Sequence, residues 1–161
     1  MSFFKKYKYW LIIFLTVIVV VIIDLITKSI FEGKEFTIIN GFLSIYSISN
    51  PGGAWGILKD STDFLIILSI FILFVLFWIN IQLKEKTIFY SIGMGFIIGG
   101  AVGNLIDRLA FHQVRDFVKL DFLTSFPIFN FADMCLSVGA VFIIIYFLFL
   151  YKPKAYEKPK S

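Results

Sequence analysis

The chain is 161 residues long, 59% hydrophobic and only 16% charged, with 21 phenylalanines. So apolar a composition excludes an ordinary soluble domain and indicates an integral membrane protein. The formal net charge of +4 does not point to nucleic acid, because the lysines gather at the two chain ends and in Lys84-Glu85-Lys86, the pattern that marks a cytoplasmic side.

Crossing a bilayer takes a helix of about 20 mostly apolar residues or a closed barrel of alternating strands. The long apolar runs lack period-2 alternation, so they read as helices in a single membrane domain, residues 1–161. One cysteine, Cys135, excludes an intrachain disulfide. One histidine, His112, excludes a His-rich zinc site and leaves any Ser-His-Asp triad dependent on a single ring.

The first run follows Lys5, Lys6 and Lys8 and resembles a signal peptide, but no small-residue cleavage site comes after it. The expectation is an uncleaved helix over 9–31, running outward from the cytoplasm. Asp24 and Lys28 lie four apart near its outer end and share one face. They read either as a helix-end ion pair with a snorkelling lysine or as parts of a site.

Residues 32–63 form an external loop. Asn40-Gly41 between two β-prone runs signals a hairpin. The segment Asn50-Pro51-Gly52-Gly53-Ala54-Trp55-Gly56 is a turn, or a place where backbone comes close to something else. A second helix over 64–81 returns inward with Trp78 at an interface, and a short link leads to a third helix over 88–109. Gly93, Gly95, Gly99, Gly100 and Gly103 suit close helix packing in lipid. Asn104 and Arg108 share a face of this helix, with Asp107 beside Arg108.

Residues 110–130 lie outside again. The β-prone stretch 114–122 carries Asp116 and is expected to join the hairpin in a small sheet. Asn130 suits a helix N-cap and Asp133 the capping-box position, opening a fourth helix over 131–151. A basic cytoplasmic tail follows. The fold class is thus an all-α membrane protein: four transmembrane helices, a small extracytoplasmic β-sheet and both termini cytoplasmic.

On this route Asp24, Lys28, Asn104, Asp107, Arg108, Asp116 and Asp133 all reach the outer boundary. Lys5, Lys6, Lys8, Lys84, Lys86, Lys152, Lys154, Lys158 and Lys160, nine of the 15 basic residues, fall inside, with only Glu85 and Glu157 of the 11 acids. Ionisable groups at membrane depth are costly and mark a function or a partner. Two carboxylates sharing one proton can hydrolyse an amide, one ionised to activate water and the other protonated to polarise the carbonyl. Asp116 and Asp133 are the candidate pair. The helix N-terminus favours the anion at Asp133, which makes Asp116 the first candidate for proton carrier, with the reverse assignment left open by the sequence.

Five stretches, Asp24-x-x-Thr27-Lys28, Asn50-x-Gly52-x-Ala54-Trp55, Gly99-Gly100-x-x-Gly103-Asn104-x-x-Asp107-Arg108, Val114-x-Asp116-Phe117 and Phe129-Asn130-x-Ala132-Asp133, resemble in order and spacing the motif set of bacterial lipoprotein signal peptidase, or signal peptidase II. The resemblance implies an aspartic peptidase with an extracytoplasmic β-cradle. It would cleave prolipoprotein signal peptides on the amino side of a diacylglyceryl-modified cysteine, with no metal or cofactor. It implies Asp116 and Asp133 as the catalytic dyad, with Asn104, Arg108, Asn130 and Ala132 lining or orienting the site. Asp24, Lys28, Asn50 and Gly52 would support it or contact substrate, and Asp107 would steady Arg108. The implied partners are a lipidated prolipoprotein and membrane lipids in the bacterial cell membrane. Nothing in the sequence demands more than a monomer, and glycine-rich helix three, by inference and not by motif, would leave room for the signal helix. Three rivals are a small ion- or proton-coupled transporter, a Ser-Lys peptidase built on Lys28 with Thr27 or Ser29, and a purely structural lipid-binding or assembly protein.

Overall fold

Four helices fall on the four apolar runs: α1 (Phe3–Phe31), α2 (Thr62–Gln82), α3 (Ile88–Phe111) and α4 (Phe131–Ile145), the last continued by a π-helical turn over Tyr146–Leu150. The structure, a computed structural model, describes residues 3–53, 58 and 61–151. Ala54 and Trp55 of the turn-rich segment and the basic tail lie outside the described residues. Each helix is long and apolar enough to cross a membrane.

Helix α3 is the centre of the bundle and packs on the other three. Half of its span is buried, against 17%, 11% and 17% for α1, α2 and α4. Glycine makes this possible. A methyl group on Gly95 would stand 2.5 Å from Thr16 Cβ, one on Gly99 2.8 Å from Val20 Cβ, and one on Gly103 2.5 Å from Asp24 Oδ2. Those residues step by four on both helices, so one bare stripe on α3 receives one row of side chains from α1. Gly93 and Gly100 do the same for α4, against Phe142 Cβ and the Ala132 carbonyl, both at 2.5 Å. The glycine faces expected to leave room for a substrate helix are therefore already filled by α1 and α4.

A three-stranded antiparallel sheet covers one end of the bundle, in the order β1 (Glu35–Ile39), β2 (Leu43–Asn50), β3 (Val114–Leu120). The Asn40-Gly41 hairpin forms with a three-residue loop that also takes in Phe42, since Ile39 pairs with Leu43. Gly41 sits at φ +71°, the left-handed position that such loops give to glycine. A register shift between Ile45 and Ile48 of β2 sets Ile48 opposite Asp116 and Asn50 opposite Val114. That offset carries the end of β2 to the middle of the polar cluster. At the bundle's opposite end Ile13, Tyr90, Met94 and Tyr146 form an apolar core beside buried Asn80.

Candidate active site

The site is assembled on the first turn of α4. Asn130 caps that helix, its Oδ1 accepting from the Asp133 backbone N–H at 3.0 Å while Asp133 Oδ2 accepts from the Asn130 backbone N–H at 3.1 Å. This reciprocal pair is the capping box foreseen from the spacing. The Asn130 side chain has donors left over. Its Nδ2 donates to Asp116 Oδ1 at 2.7 Å and to Asn104 Oδ1 at 3.0 Å. One fully buried asparagine therefore binds both aspartates, one from β3 and one from α4. Asn104 Nδ2 completes the ring by donating to Asp133 Oδ1 at 2.8 Å.

From the far side Asn50 Nδ2 donates to Asp116 Oδ2 at 2.9 Å, while Asn50 Oδ1 accepts from the Gly52 N–H at 3.0 Å. The Gly52 carbonyl in turn accepts from Arg108 Nη2 at 3.3 Å. The Asn50–Gly52 turn is thus a wall of the site and not an exposed connection. Asn50, Gly52, Asn104, Arg108, Asp116 and Asp133 all line one cavity of about 590 Å³. Its remaining walls are mostly apolar, from Val114 and Leu120, the Phe126–Phe129 segment and Met134, Leu136 and Val138 of α4. An apolar cavity with a few convergent polar groups is the form expected of a ligand site.

Asp116 is only 2% exposed, and that burial pushes its carboxyl up to about 6. The neighbouring Asp133 acts in the same direction, while the amides of Asn50 and Asn130 act against it. Asp133 is half-buried at the positive end of α4.

Behind the aspartates lies a buried ionic layer. Asp24 Oδ1 accepts from the Ala132 N–H at 2.9 Å, fastening the start of α4 to α1, and Ala132 itself is fully buried. Lys28 is fully buried too and does not snorkel. Its Nζ lies 2.8 Å from Asp24 Oδ2 and 3.5 Å from Asp107 Oδ2, and it donates to Asn104 Oδ1 at 3.0 Å. The Thr27 hydroxyl donates to the carbonyls of Ile23 and Asp24, so it is not paired with Lys28 as a Ser-Lys mechanism would need.

The hydrogen bonds of Asp107 go to Arg115 and not to Arg108. Its carboxylate accepts from the backbone N–H, Nε and Nη2 of Arg115, at 3.0, 3.2 and 2.8 Å. Arg115 was hidden as the variable residue between Val114 and Asp116. The available signal was strand alternation, which turns it away from Asp116 and toward the bundle. His112 takes a left-handed conformation at the end of α3 with its ring exposed, 3.8 Å from exposed Asp63, and belongs to no triad among the described residues.

Residues 16–149 match the family described as Signal peptidase (SPase) II. A lipoprotein signal peptidase of Lactiplantibacillus plantarum is 39% identical over 140 residues, covering 84% of this chain and 93% of the relative. Its counterpart in Staphylococcus haemolyticus is 42% identical over 147 residues, covering 87% and 93%. A solved bacterial membrane enzyme, determined by the in meso method at 2.3 Å resolution, superposes with a TM-score of 0.79 at 36% identity over 92% of this chain and 94% of that one. Nothing in these likenesses supports a transporter. With a family model matching most of its length and relatives about 40% identical, the chain belongs to the lipoprotein signal peptidase (signal peptidase II) family of aspartic peptidases, which removes signal peptides from prolipoproteins.

Proposed function

We propose that this chain cleaves prolipoproteins on the amino side of a diacylglyceryl-modified cysteine, with Asp116 and Asp133 as its catalytic dyad at the extracytoplasmic membrane boundary. The observation that carries the reading is the double attachment of Asn130 to Asp116 and to Asp133 beside a largely apolar cavity. Two carboxylates held near each other in this way resist ionising together, because each anion disfavours the other, and they keep one proton between them. Asp116, buried and pushed up to about 6, is the proton carrier. Asp133, whose two oxygens accept from Asn104 and from the Asn130 backbone, is the anion.

In the forward step Asp133 takes a proton from water as the hydroxide oxygen bonds to the scissile carbonyl carbon, and Asp116 donates its proton to the carbonyl oxygen. Collapse of the tetrahedral species breaks the C–N bond. Asp133 returns its proton to the leaving amine and Asp116 recovers its own from the hydroxyl, so the dyad ends as it began. Asn50, Asn104 and Asn130 keep both carboxylates in place throughout. Arg108 and Gly52 form the wall against which the peptide lies, and Asp24, Lys28, Asp107 and Ala132 keep that wall attached to the bundle. The apolar walls suit a signal helix and an acyl chain arriving from the bilayer. The inward bias of the lysines supports the orientation.

The test is cleavage by the purified protein in lipid of a diacylglyceryl-modified prolipoprotein and of its unmodified precursor, with the product N-terminus determined by mass. The expected result is a product beginning at the modified cysteine and little cutting of the unmodified precursor. Cleavage elsewhere, equal cutting of both forms, or none would overturn the reading.

A further inference from the structure

Arg115 ties three elements together. It sits on β3, holds Asp107 of α3 through three hydrogen bonds, and reaches Glu32, just past α1, with Nη1 at 3.1 Å from Oε2. Its guanidinium also lies 4.7 Å over the Phe111 ring. The side chain is 11% exposed and that of Asp107 not exposed at all. A planar fork held this way is a specific clamp that an ammonium cannot reproduce.

The clamp matters because of what stands behind it. Two buried acids, Asp24 and Asp107, face two cations, Lys28 and Arg115. With Arg115 satisfying Asp107, the Lys28 ammonium stands closer to Asp24 and still donates to Asn104 Oδ1 at 3.0 Å. Asn104 Oδ1 accepts from Lys28 and Asn130 together, and this fixes the amide so that its Nδ2 faces Asp133. Without the guanidinium, Asp107 would be left with Lys28, already at 3.5 Å, as its counter-ion. In a site shielded from water the attraction would draw the ammonium off Asn104.

We propose that Arg115 is a positioning residue for the reaction: by occupying Asp107 it keeps Lys28 on Asn104, and so keeps the Asn104 amide aimed at Asp133. The inference rests on the peptidase reading above. It separates from a mere fastening of sheet to bundle, because the harm done by losing Arg115 comes from the charge left on Asp107. Neutralising that charge must then repair catalysis.

The experiment compares kcat and KM for the lipidated prolipoprotein in wild type, Arg115→Gln, Arg115→Lys and the double variant Asp107→Asn/Arg115→Gln, with thermal midpoints alongside. Arg115→Gln is expected to lower kcat about tenfold with KM within about twofold. Arg115→Lys recovers part of the loss, and the double variant regains kcat severalfold over Arg115→Gln. Should Arg115→Gln fail to fold, the double variant and Arg115→Lys, which both avoid an unbalanced Asp107, must still fold and cut. A kcat for Arg115→Gln within twofold of wild type overturns the proposal, as does a double variant no better than the single one. If wild type itself does not cut, the peptidase reading falls and this one with it; if wild type cuts and either of those two overturning results is found, only the Arg115 inference fails.

Discussion

The two ends of this bundle both bury polar side chains, and they do so to different effect. At the end away from the sheet, Asn80 Nδ2 donates to the Leu76 carbonyl at 2.9 Å and its Oδ1 accepts from the Tyr90 hydroxyl at 3.2 Å. The Tyr146 hydroxyl donates to the Glu85 carbonyl, and Lys86, which donates to the Leu83 carbonyl, lies over the Trp10 ring. These bonds end on backbone carbonyls or on each other beside an apolar core, which is how buried polar groups are ordinarily satisfied. At the sheet end the bonds run between residues distant in sequence, and they finish on two carboxylates that face a cavity. Buried polarity alone therefore does not mark a site. Convergence on acids with space beside them does.

The comparison breaks most violently at Lys28. Lys28→Met leaves Asp24 and Asp107 buried with one cation fewer, and removing one partner of a buried ion pair costs about 3–5 kcal/mol. A large fall in the thermal midpoint is expected, together with loss of cleavage. Asn130→Ala removes the bridge between the aspartates, and kcat should drop about a hundredfold while the lost cap lowers stability by only about 1 kcal/mol. Steady-state kinetics and a melting curve on the same sample separate the two effects.

A milder test uses pH. Burial raises Asp116 from 3.8 to about 6, so over that window the folded chain holds a proton that the unfolded chain has lost. Its contribution to stability is therefore fully present below 3.8 and declines as pH rises to about 6. On the proposed mechanism the free enzyme above about 6 also lacks the proton that Asp116 must donate, and kcat/KM should fall with rising pH. Asp116→Asn should flatten its part of the stability profile, and an unchanged slope between pH 4 and 6 would contradict the assignment. The smallest effect belongs to the opposite end. Tyr90→Phe removes one hydrogen bond to Asn80 and should cost about 1 kcal/mol, with kcat within about twofold of wild type.

Much of this was legible in the sequence, for reasons that can be stated residue by residue. Four apolar runs dictate four helices because lipid permits little else, and Asn40-Gly41 dictates a hairpin because its loop needs a left-handed residue. Asn130 and Asp133 announced a helix start by their spacing. Less legible were the hydrogen-bond partners that side-chain direction decides. Adjacent Asp107 and Arg108 point to different sides of α3, and it is strand β3 that brings Arg115 to Asp107. Lys28 near a helix end could have snorkelled, but the bare stripe at Gly95, Gly99 and Gly103 draws α1 so close that its lysine is enclosed. The same stripe read as space for a substrate helix, because spacing shows that a face is small without showing what fills it.

The most direct test of the dyad is single-turnover cleavage of a lipidated prolipoprotein by wild type, Asp116→Asn, Asp133→Asn and the double variant, with substrate binding measured in parallel. The amide keeps the size and polarity of the carboxyl but cannot exchange the proton. Each single variant should bind substrate and cut at least about a thousandfold more slowly, and the double variant should be little worse than either, because the two acids act as one unit. A folded Asp116→Asn or Asp133→Asn that cuts near the wild-type rate would contradict the account and turn attention to the other carboxylates at the sheet end, Asp24 and Asp107.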